Sequence, residues 1–162
     1  MPPARMTIDF TREGLAAAGF VGFVNWAELS WDEVPSGQGV YVVMTDGPDP
    51  PEYLSRSPAG WFKRRDPTGS RTTLEAAWVE GCPLVYIGKA ARLRTRLRQY
   101  RDHGQGKPVG HWGGRYIWQL SNSGDLVVAW RVTDEDPEQL EKEMLAAFLD
   151  QYGQLPFANL RR

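Results

Sequence analysis

The sequence predicts an α/β (α+β) domain: a small central antiparallel or mixed β-sheet flanked by helices. Three observations lead there. Compact β-rich runs recur at GVYVVM (39–44), LVYIG (84–88), RYIWQL (115–120) and DLVVAWRV (125–132), set off by turn-forming residues. Two segments, 91–103 and 137–152, carry apolar residues at helical spacing. The order β, insertion, β, α, β, β, α suits a single sheet with helices packed on it.

Residues 1–36 read as an N-terminal extension, helical in part. Within it, 11–31 gives a helix, a short apolar segment and a further turn of helix. PSGQ breaks the chain before the first strand. TDGPDPPEY is turn and loop by its Gly, Pro and Asp content. An insertion over 45–83 follows, with a basic patch at Lys63, Arg64 and Arg65 and a helix near TLEAAWVE. The second strand leads into an arginine-rich helix from about Ala91 to His103. GQGKPVGHWGG is a loop, and SNSG joins the last two strands. The final helix opens at DEDPEQLEKE: Asp136 is a cap, Pro137 suits the first helical position, and Gln139 is placed to complete a capping box. It ends near Tyr152-Gly153. All 162 residues read as one domain, with 84–162 as the remainder of its core.

Composition narrows the classes. Hydrophobic residues make up 41% and charged residues 24%, which is ordinary for a globular domain. A single cysteine, Cys82, excludes an intramolecular disulfide framework, and with two histidines no structural zinc cluster can be assembled. MPPARMTIDF has no apolar signal core, and LAAAGFVGFV is too short to span a bilayer. A cytoplasmic, reduced setting is expected.

The net charge of −1 hides a strong asymmetry. Between Lys89 and Arg115 stand eight Lys/Arg and one acid, Asp102, a local charge of +7. On a helix, Leu93, Leu97 and Tyr100 fall on one stripe that faces the core. Arg92, Arg96 and His103 share one flank, and Arg94, Arg98 and Arg101 lie on the other side. A solvated face accounts for such a run in general. Here one acid cannot neutralise the helix by intrahelical pairs, so an anionic partner such as a phosphate backbone offsets the repulsion better.

The last helix places Glu141 on the stripe of Met144, Leu145 and Phe148. A carboxylate on a core-facing stripe is costly unless paired or metal-bound. It reads either as a structural pair or as a metal ligand or general base at a cleft, with Glu143 in reserve should the register differ. In the loop before RYIWQL, His111, Trp112 and Arg115 read either as hairpin packing or as a nucleic-acid contact, Trp112 stacking on a base and Arg115 on phosphate.

Together these pieces resemble the GIY-YIG nuclease superfamily. Gly39-Val40-Tyr41 matches its first motif and Tyr86-Ile87-Gly88 its second, with Arg96 ten residues beyond Tyr86. The run YIGKAARLRTRLRQY is especially similar to the nuclease domain of the bacterial excision-repair endonuclease that incises 3′ of a lesion. Glu141 and Asn159 match the family's metal-binding glutamate and later asparagine. The chain departs from the pattern in three ways. First, 44 residues separate Tyr41 from Tyr86 where the family has a short hairpin, so the insertion is expected to project. Next, Tyr100 stands where many members have a histidine, which His103 could replace. Finally, no further DNA-binding domain is expected from the sequence.

The resemblance implies metal-dependent endonuclease activity on DNA, RNA staying open. Glu141 would hold one Mg²⁺ or Mn²⁺, and Arg96 would stabilise the phosphate. Tyr41 would activate water, its pKa lowered by Lys89 and Arg96. Tyr86 would orient water or phosphate and Asn159 would brace the site. Arg92, Arg94, Arg98 and Arg101 would follow the nucleic acid. A non-catalytic nucleic-acid-binding module of the same fold is the alternative, and an interaction domain for an acidic partner is a third reading.

Overall fold

A computed structural model describes residues 7–45, 52–109 and 111–160. Val21–Asn25 (β1), Gly39–Met44 (β2), Leu84–Ala90 (β3) and Val127–Val132 (β4) pair antiparallel, in the order β1-β4-β2-β3. β2 lies inside the sheet, and every one of its residues is buried. That is why GVYVVM reads as an unbroken apolar run and not as an alternating one.

The two faces divide the core. Tyr41, Val43, Val85, Tyr86, Val128 and Trp130 face one cluster, with Leu93, Leu97 and Tyr100 of the helix Leu93–Gly104. Val40, Val42, Met44, Ile87 and Ala129 face the other, with Met144 and Phe148 of the helix Pro137–Tyr152. The short helices Arg12–Ala17 (α1) and Arg71–Ala77 (α2) add Leu15 to the second cluster and Leu74 to the first. Numbered in chain order, the two long helices are α3 and α4, and they cover opposite faces of the sheet.

Local chemistry explains their ends. Leu93 and Arg94 donate their amides to the carbonyls of Gly37 (2.9 Å) and Pro35 (3.1 Å), so the loop before β2 caps α3 where no side chain does. Asp136 accepts from the Glu138 amide at the start of α4 (3.1 Å). Gln139 turns instead to Glu143 (3.1 Å). Gly153, at φ 75°, ends the helix in the left-handed conformation that glycine adopts without a steric penalty.

Three expectations are corrected. The apolar segment of the N-terminal extension is the edge strand β1, which pairs with β4 through a bulge at Phe23 (φ 56°). RYIWQL is not a strand: Trp112–Gln119 winds as 3₁₀ turns with a kink at Gly114. A tight turn brings Tyr116, Ile117 and Trp118 into the interior consecutively, which a two-sided strand would not do here. The described residues of the insertion, 45 and 52–83, do not project as a whole but pack back on the core. Ala59 and Leu74 are buried in the first cluster with Tyr53, Ala77 and Trp78 against it. Gln119 ties it down, accepting from the Gly69 amide (2.8 Å) and donating to the carbonyls of Leu54 and Gly69 (both 2.9 Å).

Candidate active site

β2 and β3 set Tyr41 opposite Gly88. A Cβ at Gly88 would meet the Tyr41 ring and hydroxyl, so the glycine of YIG leaves room for the tyrosine of GVY to lie across the neighbouring strand. Tyr86 follows on the same face, its ring centre 5.9 Å from that of Tyr41. α3 brings Tyr100 and Arg96 over this pair. The Tyr100 ring lies 5.3 Å from Tyr86 and 6.3 Å from Tyr41, and the Arg96 charge acts on Tyr41.

His111 completes the cluster. It is fully buried, its Nε2 is 2.6 Å from the Tyr41 hydroxyl, and its ring stacks on Tyr100 at 3.5 Å and 5°. The Tyr100 hydroxyl donates to the Gly114 carbonyl (2.5 Å), which holds the stacking ring in place. Burial, helped by the Arg96 charge, pushes the His111 pKa well below its ordinary value. Burial therefore favours the neutral imidazole, which shares one hydrogen with the Tyr41 hydroxyl across this bond.

Tyr41 is 1% exposed. Burial, then the neighbouring Tyr86, push its hydroxyl well above the ordinary value of about 10, and Arg96 only partly opposes them. Burial likewise raises Tyr100. This corrects the expectation of a tyrosine acidified by Lys89 and Arg96. Lys89 points to the other face of β3 and pairs with Glu138 of α4 (2.8 Å).

Of the two readings of His111, aromatic packing or a nucleic-acid contact, the structure fits packing, placing the ring inside the tyrosine cluster. His103 is also buried, and burial with Arg115 nearby lowers its pKa. Its ring centre lies 6.4 Å from Trp112.

Asn159 is set against β3 as a strand-like cap. It accepts from the Ile87 amide and donates to the Ile87 carbonyl, each at 2.9 Å. Glu141 stands half-buried on α4, on the face opposite the tyrosines. β3 is an edge strand, and Asn159 and Ala158 are bonded along its outer side. Among the described residues no group of three or more His, Cys, Asp or Glu could hold a metal. A divalent ion bound through Glu141 would thus rely on one carboxylate with water and phosphate oxygens, a donor set that fits Mg²⁺.

The remaining cations are partly engaged. Arg94 donates to the Val34 carbonyl (2.8 Å), and Arg98 and Arg101 lie over the Trp31 ring at 5.2 and 4.5 Å. Arg115 lies 4.3 Å from the centre of the Trp112 ring and donates to the Trp112 carbonyl. Arg92 is exposed at the entry to α3. No family model, no curated protein and no solved structure matches the chain. No described helix is long and apolar enough to cross a membrane.

Proposed function

We propose that this chain is a nuclease domain that hydrolyses DNA phosphodiester bonds with the help of one divalent metal. The supporting observation is the meeting of Tyr41 with Tyr86 and Arg96, 45 and 55 residues further along the chain, around one buried histidine. In this reading Arg96 binds the scissile phosphate and stabilises charge as it builds on the equatorial oxygens. The attacking water donates a hydrogen bond to the Tyr41 oxygen, which the 2.6 Å bond to His111 holds in place, and its proton leaves by way of the phosphate oxygens to solvent and not to His111, whose protonation burial and Arg96 disfavour. Tyr86 orients the water, and Asn159 keeps β3 in place. A Mg²⁺ or Mn²⁺ ion on Glu141 would supply Lewis-acid activation of the phosphate. A reducing cytoplasmic setting belongs to the same proposal and fits the free, buried Cys82.

One observation favours the alternative of a nucleic-acid-binding module without turnover: the reacting hydroxyl of Tyr41 is almost fully enclosed. Incubation with supercoiled plasmid and branched DNA in Mg²⁺, Mn²⁺ or EDTA separates the two. Metal-dependent cleavage that drops by about 10²-fold or more in Arg96→Ala and in Glu141→Ala is expected. Binding without cutting in either metal would establish the module, and cleavage unchanged in both variants would place the chemistry elsewhere.

A further inference from the structure

Within the insertion, Trp61–Arg65 forms a miniature hairpin. Phe62 and Arg65 exchange both backbone hydrogen bonds (3.2 and 3.0 Å), leaving Lys63 and Arg64 as a two-residue loop. Both loop residues have positive φ, 51° and 63°. That is the turn for which Asn-Gly is favoured, because a side chain at Cβ makes the left-handed conformation costly. Two long cationic side chains occupy it instead, and strain held in this way points to a use for the residues that bear it.

The surroundings suit a polyanion. Lys63, Arg64 and Arg65 are exposed, and no acid occurs between Ser57 and Arg65. The nearest acid in sequence, Asp66, is held by the Thr68 amide (2.9 Å). Beside the cations stands Trp61, 59% exposed, a large aromatic that the core does not use.

The hairpin is anchored to the site. The Gly60 amide donates to the His103 carbonyl at the end of α3 (2.8 Å), and a Cβ on Gly60 would meet the Lys107 backbone. The Arg65 guanidinium lies 5.3 Å from the centre of the Trp112 ring, and Trp112 follows His111 in the chain. The basic tip and the tyrosine cluster thus share one supporting loop.

We propose that the Trp61–Arg65 hairpin is a second nucleic-acid contact, holding the strand that flanks the phosphate at Arg96. Lys63 and Arg64 take phosphates, and Trp61 stacks on an unpaired base. The inference rests on the phosphodiester reading above and adds to it a preference for single-stranded or flapped substrate. An exposed indole has no acceptor in a duplex, whose bases are already stacked, whereas bare cations alone would suit any polyanion.

The discriminating variant is K63N/R64G, which removes both charges and supplies the residues the turn favours, so the hairpin is kept. Fluorescence anisotropy with a fluorescein-labelled single-stranded oligonucleotide and its duplex, in EDTA and across a salt series, gives the readout. The dependence of log K on log salt is expected to shrink by about 1.4 on the single strand, about 0.7 per phosphate released. Trp61→Ala is expected to weaken single-strand binding about fivefold or more and duplex binding far less, at the low end of what one stacked base contributes. An unchanged salt slope in a K63N/R64G protein that melts no lower than the parent overturns the proposal. So does polyglutamate competing as well as oligonucleotide at equal charge, which would assign the tip to an acidic protein partner. A slope change in K63N/R64G together with parental protein that cuts nothing in Mg²⁺ or Mn²⁺ sinks the nuclease reading and leaves the hairpin contact standing. Cutting with no slope change does the reverse.

Discussion

At the scale of single residues, the site is set by where a side chain is missing. Gly88 has no Cβ, and the Tyr41 ring occupies that space. Gly88→Ala is therefore expected to destabilise the protein by about 1–3 kcal/mol through overpacking, measured by urea unfolding. It should also lengthen the Tyr41–His111 bond, seen as a shift of the His111 ring resonances. Tyr41, Tyr86 and Arg96 were legible in the sequence because motif spacing survives without knowledge of contacts. The partner of His111 was not: it lies 70 residues away, and the loop pattern left packing and nucleic-acid contact both open.

At the scale of elements, the insertion and the 3₁₀ segment hold each other. The Gln119 side chain is buried and serves three backbone groups at once. Gln119→Ala leaves the Gly69 amide and the Leu54 and Gly69 carbonyls unpaired. A loss of about 2–4 kcal/mol is expected. Amide hydrogen exchange should speed up selectively between Leu54 and Gly69, while β2 and β3 stay protected. The β-runs 39–44 and 84–88 and both long helices were readable from period and length. RYIWQL was not, since a short apolar run has no period of its own and its fate depends on what it packs against. The same holds for β1, five residues whose strand character comes from pairing with β4.

At the scale of the molecule, two buried neutral imidazoles tie stability to acidity. Burial holds His103 and His111 below their ordinary pKa of about 6.5, so the unfolded chain binds protons that the folded one does not. Their contribution is complete above about pH 6.5 and is lost as pH falls toward the folded-state values. Thermal melts should show falling Tm from about pH 6.5 to 5, with a slope of at most about 2.7 kcal/mol per pH unit for two protons. In His111→Asn that slope should be roughly halved. The groups facing His111 are Tyr41, Tyr86, Tyr100, Arg96 and His103, none of them a carboxylate able to stabilise an imidazolium. The α+β class followed from element order, whereas the division of α3 and α4 between opposite faces depended on strand register, which no local pattern carries.

The amide of Asn159 has a consequence for how the molecule meets its own kind. Side-chain oxygen and nitrogen fill the outward pair of Ile87, and the Ala158 amide takes the Val85 carbonyl (2.8 Å). A border that would otherwise invite a strand from another chain is filled from within along Val85 to Ile87, which closes that stretch to sheet growth.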